Sequence, residues 1–144
     1  ENSSGVTNAA VRSVWQRLSK EQDAILIDVR TRAEWNYVGV PDLSSIGKTL
    51  LAVEWQGFPD GRQNEAFVEQ LTGALKEMGA TKDTELFFIC RSGARSMAAA
   101  QAMTREGYSR CVNVADGFEG PLDDTRHRGS LGGWKAADLP WVQG

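Results

Sequence analysis

A chain of 144 residues, 41% hydrophobic and 24% charged, has the size and composition of one globular domain that can bury a real core. Its net charge of −3 leaves no electrostatic footprint for nucleic acid, and no polybasic or long apolar run suits a membrane. Two cysteines, Cys90 and Cys111, are too few for a disulfide framework and read as free thiols, which favours a reducing, cytoplasmic compartment.

Residues 1–6 are polar and rich in Ser and Gly, and are expected to fray. No signal peptide is visible, and a start at Glu1 rather than Met is expected to mean that something upstream is removed or omitted. Thr7 can cap a helix with Val11, Val14, Trp15 and Leu18 at i, i+3, i+4 and i+7. Residues 24–29 form a short, nearly all-apolar run, the pattern of a strand covered on both faces. Thr31 can cap a short helix through Glu34 and Trp35. Residues 50–55 are a second strand, ended by the turn cluster Gly57-Phe58-Pro59-Asp60-Gly61. Asn64 then caps a helix with the stripe Phe67, Val68, Leu71, Leu75 and Met78, and Gly79 stops it. Leu86–Ile89 is the third strand, residues 95–105 the next helix with Gly107 behind it, and Cys111–Val114 the fourth strand. Strands alternating with helices imply an α/β fold, a parallel sheet of about four to five strands flanked by helices on both faces. Residues 121–129 read as a polar surface loop, and 121–144 as a tail that Trp134 and Trp141 pack back on the domain. With no repeat or low-complexity linker, 1–144 is a single domain.

The chemistry concentrates in Leu86-Phe87-Phe88-Ile89-Cys90-Arg91-Ser92-Gly93-Ala94-Arg95-Ser96. A buried strand ends in a cysteine, a Gly/Arg/Ser loop follows, and a small-residue helix begins. That order puts a sulfur at the C-terminal edge of a sheet, beside loop amides and the positive end of a helix. Such a field favours the thiolate, which is the nucleophilic form. Cys90 is therefore the candidate nucleophile, whereas Cys111 has no such loop and reads as an inert core thiol. Arg91, Ser92, Gly93, Ala94, Arg95 and Ser96 are the candidate anion-binding set. Arg95, which closes the loop, is expected to make the stronger contact and Arg91 to face the entrance. Ser96 serves equally well as a helix N-cap. Asp28 and Arg30 read as an ion pair that fixes the strand end and supports the active site, with direct substrate contact the alternative. His127 reads as an exposed bystander, and Trp35 and Trp55 as core residues, with rimming the pocket the alternative. No His/Cys/Asp/Glu cluster has metal-ligand spacing, and nothing calls for a cofactor.

The loop Cys90-Arg91-Ser92-Gly93-Ala94-Arg95-Ser96 resembles the active-site loop of the rhodanese (sulfurtransferase) family. Asp28-Val29-Arg30-Thr31-Arg32-Ala33-Glu34-Trp35 resembles the family's Asp-Val-Arg-x-x-x-Glu-aromatic segment. Asn113 through Gly120 and residues 133–141 resemble its last core strand, Gly turn and tail. Val38-Gly39-Val40-Pro41-Asp42 departs from the pattern, since many members carry Gly-His-Ile-Pro-Gly there, and any role of that histidine is absent. The resemblance implies a rhodanese-like fold and a single-domain thiosulfate sulfurtransferase working by double displacement at Cys90. Its partners would be a small anionic sulfur donor and a cyanide, thiol or protein sulfur acceptor. A periplasmic member would look the same after processing.

Two rivals stand beside this reading. One is a non-catalytic rhodanese-like binding or regulatory module, which would often lack the cysteine. The other is a cysteine phosphatase or arsenate reductase. Four residues separate Cys90 from Arg95, whereas the phosphatase loop has five, and Ile89 stands where phosphatases usually carry His.

Overall fold

Strands and helices alternate through the computed structural model, which describes residues 5–57 and 60–143. The first elements are β1 (Thr7–Ala9), α1 (Val11–Lys20), β2 (Ile25–Asp28), α2 (Arg32–Tyr37), β3 (Val40–Pro41) and β4 (Leu51–Ala52). Then follow α3 (Phe67–Glu77), β5 (Leu86–Ile89), α4 (Ala94–Arg105), β6 (Cys111–Val114), α5 (Gly133–Ala136) and β7 (Trp141–Val142). Five strands form one sheet in the order β1-β6-β5-β2-β4, parallel throughout, and β3 and β7 make a small antiparallel pair. The sheet is thus the parallel, helix-covered one that the alternation implies.

Every residue of β2, β5 and β6 is buried. Successive side chains take opposite faces of the sheet, as strand geometry requires. Ile25, Ile27, Leu86 and Phe88 pack with Phe67, Leu71 and Leu75 of α3 and Met103 of α4. Leu26, Phe87, Ile89, Val112 and Val114 pack with Val14 and Leu18 of α1 and Trp134 of α5. Apart from Asp28 and Asn113, these strands run apolar because helices cover both faces.

Several local expectations are corrected. Thr7 caps nothing: it opens β1, an edge strand paired with β6, and Ala10 is the residue before α1. Val6, expected in a frayed end, is fully buried, while residues 1–4 lie outside the described residues. The second strand shrinks to Leu51–Ala52. Asn64 does not cap α3 directly; its Oδ1 accepts from the Ala66 amide at 3.1 Å, three residues ahead of the helix stripe. Met78 is exposed rather than part of that stripe. Phe58 and Pro59 of the expected turn lie outside the described residues, and around them Gly57 donates to the Arg62 carbonyl at 2.8 Å.

The tail carries two tryptophans with different surroundings. Trp134 is fully buried and its Nε1 donates to the Pro140 carbonyl at 2.6 Å. Trp141 is 38% exposed but meets Phe118 edge-on at 6.1 Å. It also explains the departure at 38–42. Gly39 has φ +109°, and a Cβ there would lie 2.8 Å from a Trp141 ring carbon and from the Val142 carbonyl. The tail strand fills the space that a histidine side chain would need.

Candidate active site

Parallel strands deliver their C-terminal ends to one edge, where ligands of open α/β sheets bind. Cys90 follows β5 at that edge and is 1% exposed. Two groups stand on its Sγ: the Gly93 amide, which donates at 3.1 Å, and the Ser96 hydroxyl at 3.2 Å. Both sit at the start of α4, whose positive end favours an anion there.

The loop is held from behind by the turn after β6. Phe118 N–H donates to the Cys90 carbonyl at 2.8 Å, and the Glu119 and Gly120 amides both donate to the Arg91 carbonyl at 3.0 and 3.1 Å. Two glycines allow this approach. Gly93 has φ +113° and any Cβ would fall on the Ala115 carbonyl, while a Cβ at Gly117 (φ +71°) would fall on the Cys90 and Arg91 backbone.

Gly93 rather than Ser96 occupies the N-cap of α4, so the cap role considered for Ser96 falls away. Ser96 is fully buried inside the first turn. Ser92 and Ala94 are exposed, and of the loop amides Gly93 alone reaches the sulfur among the described residues.

Arg95, expected to make the stronger anion contact, is engaged elsewhere. Arg95 Nη1 and Nη2 donate to the two Glu34 carboxylate oxygens at 2.7 and 3.0 Å, so its fork is already occupied. Arg91 is exposed and has no salt bridge among the described residues. Arg91 is therefore a cation at the mouth without a counter-charge among the described residues, as is Arg128, whose Nη1 donates to the Gly120 carbonyl at 2.8 Å. A cleft of about 620 Å³ opens beside the loop, lined by Arg91, Arg95, Arg128, Glu34, Glu119 and Tyr37 among others. Nothing in the sequence singles out Arg128, in the polar loop, or Glu119, in the turn after the last core strand, and only folding brings them to the mouth.

Asp28 and Arg30 are both fully buried at the neighbouring strand end. Arg30 Nε and Nη2 donate to the carboxylate at 2.9 and 2.6 Å, Nη2 also reaches the Gly39 carbonyl at 2.7 Å, and the guanidinium lies 4.4 Å over the Phe118 ring. The Arg30 guanidinium thus packs on a residue of the turn that clamps the loop.

Cys111 opens β6 opposite Leu86, four positions before Cys90 along β5, so the two cysteines lie toward opposite ends of the sheet, offset by about 13 Å along the strand direction. Burial pushes its thiol up, against a hydrogen bond from Thr104. His127 is exposed in the 123–130 loop beside Thr125. Trp55 packs edge-on against Phe67, whereas Trp35 is only partly buried. Among the described residues no group of three His, Cys, Asp or Glu could hold a metal ion, and no helix is long and apolar enough to cross a membrane.

A five-stranded parallel sheet with a cysteine loop at its edge, clamped by the turn of the next strand, defines a rhodanese-like domain. Residues 5–144 match the family model described as the STR4 middle domain, and the chain belongs to that family. It is 42% identical to Rv0390 from M. tuberculosis, whose crystal structure superposes with a TM-score of 0.86 over 96% of this chain and 98% of that one. An uncharacterized RP600 homolog of Rickettsia rickettsii is 37% identical, covering 94% of this chain and 97% of its own length. A sulfurtransferase of Allochromatium vinosum is 29% identical over 74% of this chain and 78% of its own.

Proposed function

We propose that this domain is a sulfurtransferase that carries sulfane sulfur on Cys90. The observation that carries the reading is the Cys90 sulfur itself, buried at the positive end of α4 with the Gly93 amide and Ser96 hydroxyl upon it. The Cys90 thiolate attacks the outer sulfur of a small anionic donor such as thiosulfate. A new S–S bond forms as the donor's S–S bond breaks, and sulfite leaves with the electron pair. The terminal sulfur of the resulting persulfide is then attacked by a thiol, cyanide or protein thiolate, and the Cys90 thiolate is regenerated. No redox partner is consumed in either half, and no proton must be delivered to a strongly basic leaving group.

The residues take distinct parts. Gly93 N–H holds the anionic sulfur in both halves of the cycle. Arg91, exposed and unpaired, meets the donor's sulfonate at the mouth. Arg95 acts at one remove, fixing the loop through Glu34. Asp28 and Arg30 hold the strand end and the turn beneath.

Intact mass after incubation with thiosulfate, with peptide mapping and a dithiothreitol chase, tests this. The expected result is one sulfur atom on Cys90, none on Cys111, and full reversal by the chase. Sulfur on Cys111, or on neither cysteine, would remove the assignment for this donor.

A further inference from the structure

Asn113 is an unusual residue for its place. It stands third in β6, 3% exposed, in a strand otherwise made of Cys111, Val112 and Val114. Asn is disfavoured in strands, and a buried amide persists only where its hydrogen bonds are made. Here they are made to three residues, one of β1 and two at the start of α4. Nδ2 donates to Asn8 Oδ1 of the adjacent β1 at 3.0 Å and to the Gly93 carbonyl at 3.2 Å. Oδ1 accepts from the Ser96 hydroxyl at 2.5 Å. Two acceptors around Nδ2 fix the amide's orientation, so its oxygen faces Ser96.

Ser96 has one proton and three acceptors in reach: Asn113 Oδ1 at 2.5 Å, and Cys90 Sγ and the Gly93 carbonyl, each at 3.2 Å. The shortest contact takes the proton while Cys90 is a neutral thiol. A sulfur anion is a stronger acceptor and draws the same proton toward itself. Asn113 and the sulfur anion therefore compete for it. Of the two groups on the sulfur, the Gly93 amide is fixed by the backbone, so only Ser96 can be diverted.

We propose that Asn113 is a positioning residue for the nucleophile: by drawing on the Ser96 proton it limits how tightly the Cys90 anion is held and keeps that anion reactive. The inference rests on Cys90 being the nucleophile of the proposed function. An anion with more donors is more stable and attacks more slowly, and thiolate reactivity falls with about 0.4–0.5 of the gain in stability.

Alkylation of Cys90 by iodoacetamide, located by peptide mass, is followed toward alkaline pH until its rate stops rising. That limiting rate reports the reactivity of the anion alone. Asn113→Val is expected to lower it about threefold, because Ser96 now serves the sulfur fully, and Ser96→Ala to raise it about threefold. The double variant is expected to match Ser96→Ala within about twofold, since Asn113 acts only through the hydroxyl. Arg91, the Arg95–Glu34 pair and the Asp28–Arg30 pair, the charged groups around this sulfur, are retained in every variant.

A limiting rate for Asn113→Val at or above that of the wild type overturns the proposal. So does a further slowing when Asn113→Val is added to Ser96→Ala. Should Asn113→Val fail to fold, Ser96→Ala decides alone, because a rate no faster than the wild type means that the hydroxyl never serves the sulfur. Sulfur loading from thiosulfate runs in parallel. A wild type that takes no sulfur yet shows this alkylation pattern fails the sulfurtransferase reading and keeps the role of Asn113; loading without the pattern does the reverse.

Discussion

Arg95 and Glu34 lock together across the mouth of the Cys90 loop, with Nη1 and Nη2 2.7 and 3.0 Å from the two carboxylate oxygens. The same carboxylate closes the capping box with Thr31, so one side chain ties the first turn of α2 to the first turn of α4. Burial pushes the Glu34 carboxyl up, but hydrogen bonds from Arg95 and Thr31 and the charge of Arg95 outweigh it and hold it at about 2 instead of 4.5. The unfolded chain therefore takes up the proton first as acid is added. The pair's contribution is whole above about pH 4.5 and drains away as pH falls toward about 2. Glu34→Gln is expected to lower stability at neutral pH and flatten the loss across that window. Urea midpoints at a series of pH values check it, and an unchanged acid limb would assign the loss to other carboxylates.

The two loop arginines are expected to fail in different ways. Arg91 is exposed and in the proposed function meets only the donor, so Arg91→Ala is expected to raise KM for thiosulfate about threefold and leave kcat near its starting value. Arg95 is engaged with Glu34, so Arg95→Ala loosens the loop and lowers kcat about tenfold, worth ~1.4 kcal/mol. Steady-state transfer to cyanide separates the two. A KM effect confined to Arg95→Ala would return the sulfonate contact to that residue.

What the sequence makes legible here is local. Thr31 and Glu34 stand three apart, and their capping box forms as read. Cys90, its glycine and the small-residue helix are contiguous, and the loop forms. The failures are long-range. Arg95 meets Glu34 across 61 positions, and no periodicity in either segment announces the pairing. Asn113 lies within a segment that resembles the last core strand, but its partners Asn8 and Ser96 lie 105 and 17 positions away. Thr7 looks like a cap because β1 is three residues long, too short to show alternation, and its pairing with β6 is supplied by the rest of the sheet. Gly39 reads only as a departure from a pattern until Trp141 is seen to occupy the space beside it.

Breaking the Asp28–Arg30 pair is expected to cost far more than breaking a surface bridge. Both side chains are fully buried, so Arg30→Met leaves a carboxylate without its counter-charge, at a cost of about 3–5 kcal/mol. Arg30→Lys recovers little, since an ammonium cannot make the fork from Nε and Nη2 to one carboxylate. Asp28→Leu combined with Arg30→Met removes both charges and is expected to recover at least half of the loss. Chemical denaturation of the three variants tests the order. A single Arg30→Met that costs under about 1 kcal/mol would show that water reaches the pair.

The size of the loop is expected to decide which anion reacts. Four residues lie between Cys90 and Arg95, and the sulfur between them is 1% exposed, with the Gly93 amide at 3.1 Å. A ring this tight admits one sulfur atom, whereas a tetrahedral phosphate needs several donors spread over a wider circle. The Ala115 carbonyl, on which a Cβ at Gly93 would fall, already closes one side of the loop. Arg95 cannot swing in to grip phosphate without leaving Glu34. Hydrolysis of aryl phosphates by the unmodified protein is therefore expected to be negligible. Inserting one residue between Gly93 and Arg95 pulls the amide off the sulfur and is expected to suppress sulfur transfer at least tenfold, the scale on which a misplaced group costs rate. Both are read by persulfide formation and by release of nitrophenol from its phosphate ester. Efficient phosphatase turnover in the unmodified protein, abolished by Cys90→Ser, would overturn the argument from loop size and with it the choice of sulfur transfer as the reaction.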